Sequence, residues 1–185
     1  LHEEQFKDLK EWIEEQGEIF VRDVMGHYLQ EKMIATDSWV NICERGGKQH
    51  AHNHVNSLIS GVYYVSKNNS HSSTYFVRKE SMGAVNSVTA TTPTISLPFE
   101  KRTEFNQEGE MQVNEGDLVL FPSTVLHGYK TNYEDDRVTI AMNLMPSVVC
   151  GWDYGWRVDT LTDKQRLSMQ QKRNQGDLFL HPNLE

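Results

Sequence analysis

The feature that most constrains the fold is a succession of short segments, rich in β-branched and aromatic residues, that begins near Trp39. The segments are SWVNIC, SLISGVYYV, STYFV, DLVLF and RVTIAMNLM, and residues typical of turns separate them. Such segments predict strands. No helical patterns alternate with them, so a doubly wound α/β fold is disfavoured. We therefore predict a mostly β chain that folds as a sandwich or barrel.

Helical patterns flank this β region. Residues 4–16 predict an amphipathic helix that ends at Gly17, and a weaker helical pattern covers residues 18–33. The apolar face of the first helix consists of Phe6, Leu9, Trp12 and Ile13. We expect these helices to support one face of a sheet. A further helix is predicted near residues 161–173.

The length of 185 residues suits one domain with its own core. We assign residues 1–185 to a single domain, with supporting helices over 1–35, a β core over 38–149 and a C-terminal extension over 150–185. The polar segment 79–108 is long for a loop inside a domain. It is equally consistent with a lid near a site and with a solvated surface loop.

Composition excludes several functional classes. The chain carries 18 Lys and Arg against 26 Asp and Glu, without a long basic run, so binding to nucleic-acid phosphates is not expected. No apolar run approaches the ~18 residues of a membrane span, and the charged N-terminal residues do not resemble a secretion signal. Cys43 and Cys150 are too few for a disulfide framework, so we expect reduced thiols and a cytoplasmic protein. A homo-oligomer is compatible with the sequence.

Three histidines fall within five residues in the segment GGKQHAHNHVNS, namely His50, His52 and His54. The flanking sequence predicts a strand, and side chains two residues apart on a strand point to the same face. One short strand can therefore direct two or three imidazoles to one point, and neutral imidazole is a good ligand for iron, zinc, copper and nickel. The alternative is a polar stretch that faces solvent.

A second segment strengthens the metal hypothesis. GDLVLFPSTVLHGYKTN combines a glycine turn, an apolar strand, a Phe-Pro-Ser turn and His127, and Arg137 opens the next strand. This order would bring a distant histidine opposite the first histidine strand. We therefore predict a metal site formed by His52, His54 and His127.

Together these motifs resemble the 2-oxoglutarate/Fe(II)-dependent oxygenase superfamily, and in particular a branch with the pattern HxHxxSxxSGVYY, then GDLVLFPSxxxH, then Arg. The resemblance covers roughly residues 39 to 145. It implies a double-stranded β-helix (a cupin-like jelly roll) with a metal inside. By the same resemblance, Arg137 would bind the distal carboxylate of 2-oxoglutarate, Tyr63 would hydrogen-bond that carboxylate, and Asn143 would lie in the pocket wall.

The chain departs from the superfamily pattern at one metal position. The superfamily has Asp or Glu where this chain has His54, and the expected centre for oxygen-activating iron is two histidines with one carboxylate. Four possibilities for the third ligand are left open, which are His54, His50, Asn56 and water. The substitution also leaves open whether the metal is Fe(II), zinc or nickel.

The resemblance implies a non-haem iron dioxygenase. Such an enzyme couples the oxidative decarboxylation of 2-oxoglutarate to hydroxylation by O2 of a small-molecule or peptide substrate, which the sequence does not identify. No general base is required, so we assign no catalytic side chain. Two alternatives are a cupin-type metalloprotein that does not use 2-oxoglutarate and a β-sandwich binding module without catalysis. Arg137 distinguishes the oxygenase from the cupin-type metalloprotein, because only the oxygenase needs this arginine.

Overall fold

The computed structural model describes residues 1–27, 29, 31–77, 109–150 and 155–158, together with positions 164–165, 167–168 and 171. The chain divides into two compact units, Leu1–Pro146 and Ser147–Glu185. The assignment of all 185 residues to one domain remains a prediction. Within the described residues, no helix has the length and apolar character needed to cross a membrane.

The first unit begins with helical structure. A 3-10 turn at Glu4–Phe6 leads into helix α1 (Lys7–Ile19), which continues into a π-helical turn at Phe20–Val24. The predicted helix end at Gly17 is wrong, because α1 runs through this residue. A Cβ atom there would lie 2.8 Å from Leu144 Cδ2, so the glycine lets the helix approach the sheet closely.

The helix predicted over residues 18–33 is also wrong beyond the π-helical turn. Gly26 follows that turn with a φ of 72°, a left-handed conformation that favours glycine and ends helices. The first strand then starts at Met33. The helical pattern of this segment therefore reflects its contribution to the core beside α1, where Val21 is buried.

The described residues of the first unit contain eight strands, and all of them except the two-residue strand at Gly109–Glu110 overlap a predicted segment or a histidine motif. They are β1 (Met33–Cys43), β2 (Gln49–His52), β3 (Ile59–Ser66), β4 (Thr74–Val77), β5 (Gly109–Glu110), β6 (Leu118–Pro122), β7 (Leu126–Tyr129) and β8 (Arg137–Pro146). They form two four-stranded antiparallel sheets: a larger sheet of longer strands in the order β1-β8-β3-β6, and a smaller sheet of shorter strands in the order β2-β7-β4-β5. This order is that of an eight-stranded jelly roll, which confirms the predicted fold class.

The larger sheet has one apolar face and one mixed face. The apolar face packs against α1 through a buried cluster of Ile13, Val21, Met33, Ile59, Ile140, Met142 and Leu144. The opposite face turns toward the smaller sheet, and there the apolar side chains of Val62, Tyr64, Val119 and Phe121 lie beside buried polar ones. Because successive strand residues point to opposite faces, β3 and β8 contribute to both.

A β-bulge in β1 changes which side chains of that strand face the space between the sheets. Ala35 pairs with Leu144 but Asp37 pairs with Asn143, so Thr36 is an extra residue. Such an insertion reverses the alternation of side chains along the strand. Residues before the bulge therefore pack toward α1, whereas Trp39, two residues past Asp37, lines the interior cavity.

The second unit contains a short antiparallel pair, β9 (Val148–Cys150) and β10 (Gly155–Arg157). Two sequence predictions concern residues outside the described ones, namely the possible lid at 79–108 and most of the helix near 161–173. The described positions of that helix are helical. Cys43, in the first unit, is a free and buried thiol.

Candidate metal centre

Three histidines converge between the two sheets. His52 ends β2 and pairs directly with His127 on β7, and His54 follows two residues later. Their ring centroids lie 4.4 to 5.2 Å apart, and one nitrogen from each ring lies within 4.8 Å of the others. The structure thus brings together the three residues proposed from the sequence. That they bind a metal remains a prediction.

Backbone carbonyls orient two of these imidazoles. His52 Nδ1 lies 3.0 Å from the carbonyl oxygen of His50, and His127 Nδ1 lies 3.0 Å from that of Val125. A carbonyl oxygen can only accept a hydrogen bond, so each Nδ1 carries the proton. The lone pair of each Nε2 is then free to coordinate a metal, which is the arrangement found around metal-binding histidines.

Side chains, and not a backbone carbonyl, orient the third imidazole. His54 Nδ1 contacts Asn143 Oδ1 and lies 3.0 Å from Ser60 Oγ. Ser60 Oγ is in turn 2.9 Å from Ser123 Oγ, which lies 3.0 Å from Ser57 Oγ. The serines of the HxHxxSxxS and FPS motifs therefore form one hydroxyl chain that ends on His54.

The protonation of His127 suits a metal ligand. The pKa of this imidazole is lowered from its ordinary value of 6.5 to about 4, chiefly because the ring is buried. The hydrogen bond to the Val125 carbonyl opposes the shift, and the neighbouring His52 and His54 contribute to it. His127 is therefore neutral at physiological pH, as metal coordination requires.

A second β-bulge explains why His50 is not part of the group. Gln49 pairs with Tyr129 and His52 pairs with His127, so β2 has one more residue between these two pairs than β7 has. Gln49 and His52 both line the cavity as a result, and the His50 side chain is exposed. Simple alternation would have placed His50 and His52 on one face, so this part of the strand prediction is wrong. Asn56, another proposed third ligand, is also exposed.

Arg137 lies at the other end of the same cavity and is only 1% exposed. Its Nε donates a hydrogen bond to the Ser72 carbonyl at 2.7 Å, and its Cζ lies 4.4 Å from the centroid of the Tyr129 ring. Its Nη1 is buried without a hydrogen-bond partner among the described residues. No carboxylate in the described part of the chain forms an ion pair with this guanidinium.

The arginine end and the histidine end are close along β7. His127 and Tyr129 are two residues apart on this strand, a step of ~7 Å that returns to the same face. Tyr129, which contacts the guanidinium, is therefore separated from His127 along the strand by a distance on the scale of a five-carbon dicarboxylate. The cavity between the two ends is lined by Thr74, Gly128, Thr139 and Ala141.

Tyr63 does not reach this cavity. Its ring packs edge-on against Trp12, with centroids 6.3 Å apart, and belongs to the apolar cluster under α1. The adjacent Tyr64 faces the interior and bonds the hydroxyl of Thr74 at 2.7 Å. The prediction that Tyr63 contacts the cosubstrate is wrong, because strand alternation places it on the opposite face of the sheet.

Two other residues differ from what the sequence predicted. Asn143 was predicted to lie in the pocket wall, and its Oδ1 contacts His54 Nδ1, so it belongs to the surroundings of the histidine cluster. Tyr129 was missed in the sequence, although it follows His127 by two residues. Strand alternation after His127 is the signal that could have identified it.

The donor set fits a divalent transition metal. Three neutral imidazoles suit iron, zinc, nickel or copper, whereas a site for magnesium or calcium would be made of oxygen ligands. The group holds no carboxylate, so the ligands by themselves do not single out iron. The fold and this arrangement define a jelly-roll protein with a candidate metal centre and a neighbouring buried arginine whose Nη1 has no hydrogen-bond partner among the described residues.

Comparison with known proteins identifies the family. The model of the family described as "Putative 2OG-Fe(II) oxygenase" matches residues 37–143, more than half of the chain. The chain therefore belongs to the 2OG-Fe(II) oxygenase family, which confirms the resemblance carried by its motifs. A search of curated proteins finds no match.

Two solved structures are similar to the chain. One is HygX from Streptomyces hygroscopicus with nickel and 2-oxoglutarate bound, at 15% identity and a TM-score of 0.47, covering 87% of this chain and 74% of HygX. The other is an oxidoreductase of the 2OG-Fe(II) oxygenase family from Burkholderia pseudomallei, at 8% identity and a TM-score of 0.46. That match covers 69% of this chain, which spans only half the length of the Burkholderia protein.

Proposed function

We propose that this protein is an Fe(II)-dependent dioxygenase that couples oxidative decarboxylation of 2-oxoglutarate to hydroxylation of a small-molecule or peptide substrate. His52, His54 and His127 would hold the metal through Nε2, and Arg137 would bind the distal carboxylate of 2-oxoglutarate. The observation that carries the proposal is the buried, incompletely bonded guanidinium in the cavity that the three histidines share.

The environment of Arg137 favours an anionic ligand. A buried charge without a counter-ion destabilises a fold, and a buried N–H without an acceptor costs about 1–3 kcal/mol. A ligand carboxylate would supply both the missing charge and the missing acceptor. The planar guanidinium also matches a carboxylate in two parallel hydrogen bonds, which a lysine cannot provide.

The charge of the histidine group favours the same ligand. Three neutral imidazoles leave both positive charges of a divalent ion without compensation by the protein. A dicarboxylate that reached from the metal to Arg137 would supply two negative charges in a cavity between the sheets, where water screens such attraction less than at an exposed surface. The absence of a carboxylate at His54 therefore makes binding of the metal and of 2-oxoglutarate mutually favourable.

The side chains of the chain have binding and orienting roles in this proposal. When bound, iron and 2-oxoglutarate supply the O2-dependent chemistry. The histidines hold the ion on one side, Arg137 and Tyr129 hold the far end of the cosubstrate, and the two sheets limit access of water. No side chain acts as a general base. We propose O2 and an unidentified organic substrate as the reaction partners, and the cytoplasm as the compartment.

Anaerobic titration with Fe(II) and 2-oxoglutarate tests the proposal. We expect a visible charge-transfer band that develops only when both are present, because the 2-oxo acid chelates the metal. Glutarate is the matched control ligand, since it keeps both carboxylates and lacks the oxo group, and it should bind without the band. If calorimetry showed stoichiometric metal binding and 2-oxoglutarate produced no band, the proposal would be abandoned.

The cupin-type alternative is a metal protein that does not use 2-oxoglutarate. The three-histidine donor set is the observation that favours it. It predicts that 2-oxoglutarate leaves metal affinity unchanged and that replacing Arg137 has no effect on any ligand. A binding module without catalysis predicts in addition that no metal binds stoichiometrically.

A further inference from the structure

We infer that Asn143 is a positioning residue that fixes the tautomer of His54 and so makes this histidine a metal ligand in place of the carboxylate expected by the family. The inference rests on the proposed function, because it concerns the third ligand of that centre. It assigns to Asn143 a role toward a histidine and not toward the cosubstrate.

The three histidines differ in what determines their protonation. Backbone carbonyls hold Nδ1 of His52 and His127, and these oxygens accept only. Nδ1 of His54 faces two side chains, the amide oxygen of Asn143 and the hydroxyl of Ser60. A hydroxyl can donate or accept, so Ser60 alone would permit either tautomer. The Asn143 oxygen can only accept, and it therefore requires the proton to be on Nδ1.

A chain of hydroxyls reinforces this choice. Ser57 Oγ donates to the Ile59 carbonyl at 2.7 Å, and Ser123 Oγ donates to Ser57 Oγ at 3.0 Å. Ser60 Oγ then has two oxygen acceptors, Asn143 Oδ1 at 3.0 Å and Ser123 Oγ at 2.9 Å. Ser60 Oγ thus donates its proton to one of these oxygens and not to His54 Nδ1. The Nδ1 atom of His54 can therefore carry the ring proton.

The position of His54 explains why such a network is needed. His54 lies two residues beyond the end of β2, outside the ladder that holds His52 opposite His127. Its backbone N–H donates to the Ser123 carbonyl at 2.9 Å, and its ring bonds residues of β3 and β8. Asn143 and Ser60 are 5% and 1% exposed, so water does not compete with these bonds. The larger sheet therefore positions this ligand, whereas the smaller sheet positions the other two.

The test measures His54 directly in the metal-free full chain. Long-range ¹H–¹⁵N spectra of ¹⁵N-histidine-labelled protein distinguish a protonated Nδ1 from a protonated Nε2. We expect the Nδ1–H form in wild type and in Asn143→Asp, which keeps an acceptor oxygen. Asn143→Leu, of similar size without an acceptor, should populate the Nε2–H form. Zinc(II), used as a redox-inert probe, should bind Asn143→Leu about 10–100-fold more weakly, the usual effect of removing a partner of a ligating histidine.

Asn41→Leu is the matched control, because Asn41 also lines the cavity and lies on the neighbouring strand β1. It should leave the His54 tautomer and zinc affinity as in wild type. An unchanged His54 tautomer in Asn143→Leu would overturn the inference, and so would a zinc affinity of that variant within twofold of wild type. So would an Nε2–H form in Asn143→Asp, which decides the matter if the leucine variant fails to fold.

The outcomes separate this inference from the proposed function. The tautomer of His54 is measured without metal or 2-oxoglutarate. Even if the wild-type protein gave no charge-transfer band, comparison with the Asn143 variants would still show whether Asn143 selects this tautomer. Conversely, a normal band in wild type together with an unaffected Asn143→Leu tautomer would retain the proposed function and refute the role of Asn143.

Discussion

The two ends of the cavity are built in opposite ways. At the histidine end, the Nδ1 atom of each imidazole has an oxygen partner, from His50, Val125 or Asn143. At the arginine end, the buried guanidinium has one bond from Nε to Ser72, while its Nη1 has no partner among the described residues. At the histidine end the orienting hydrogen bonds are all present without a ligand, whereas at the arginine end Nη1 still lacks a partner among the described residues.

This difference indicates which step each end controls. Ligands whose orientation is already determined lose little freedom when a metal binds, so the histidine end is preorganised. The arginine end has a buried charge without a counter-ion among the described residues, so in the proposed function it would provide selectivity for a carboxylate. Under that proposal, the polar network around the three histidines and the missing partner at Arg137 would be complementary parts of one ligand site.

Loss of one imidazole should have the largest effect. His127→Ala removes a buried ligand and should weaken zinc binding by more than the ~10–100-fold typical of residues that only support a ligand. Isothermal titration with zinc(II) measures this change. His50→Ala is the control, because only its exposed side chain is removed and its carbonyl still holds His52. Equal effects of the two substitutions would contradict the assigned ligand set.

Replacing the arginine should separate the two ends. We expect Arg137→Met to lose about 2–5 kcal/mol of 2-oxoglutarate binding, the range for removing one member of a buried charged pair. Zinc affinity without 2-oxoglutarate should stay within a few-fold of wild type. The ligand-free variant should be no less stable than wild type in urea, because the substitution removes a buried charge that has no counter-ion. A large loss of stability would show that Arg137 is mainly structural.

The histidine end should also give the protein a distinct pH dependence. The pKa of His127 is about 4 when folded and 6.5 ordinarily, so between these values the unfolded chain binds a proton that the folded chain does not. The free energy of unfolding should therefore fall as pH drops from 6.5 toward 4, and this contribution should be constant below that range. Urea denaturation in the presence of a chelator, compared with His127→Leu, measures it. Parallel pH profiles for the two proteins would contradict the assignment.

The smallest effect concerns the two tyrosines. Tyr129→Leu removes the ring that lies against the guanidinium, a contact worth ~0.5–2 kcal/mol, so 2-oxoglutarate should bind a few-fold to tens-fold more weakly. Tyr63→Leu should leave that affinity unchanged, since Tyr63 lies on the α1 side of the sheet. Calorimetry with zinc-loaded protein distinguishes these results. A stronger effect of Tyr63→Leu would support the original sequence assignment.

Much of the fold was predictable because strand signals are local. The segments around Trp39, Ile59, Leu118 and Arg137 carry β-branched and aromatic residues between turn residues, and each lies in a strand of the larger sheet. The helix end at Gly17 was not predictable in the same way. Glycine is common after helices, yet here its missing side chain serves the contact with Leu144 in the distant strand β8.

The candidate site shows the same limit. The spacing of the histidines and of Arg137 along the chain was sufficient to nominate four residues that the structure brings to one cavity. The choice between neighbours was not decided by spacing. Tyr63 and Tyr64 are adjacent and chemically alike, and only their pairing with β6 and β8 determines which of them faces inward.

Residue types and spacing therefore established the strand-rich fold and nominated His52, His54 and the distant His127. These features depend on local preference and on the two-residue period of a strand. Packing in three dimensions determined the rest. An extra residue in β2 turns His50 outward, and the contact between His54 and Asn143 joins residues 89 positions apart. Bulges and long-range hydrogen bonds arise from the pairing of distant strands, and no local pattern specifies them.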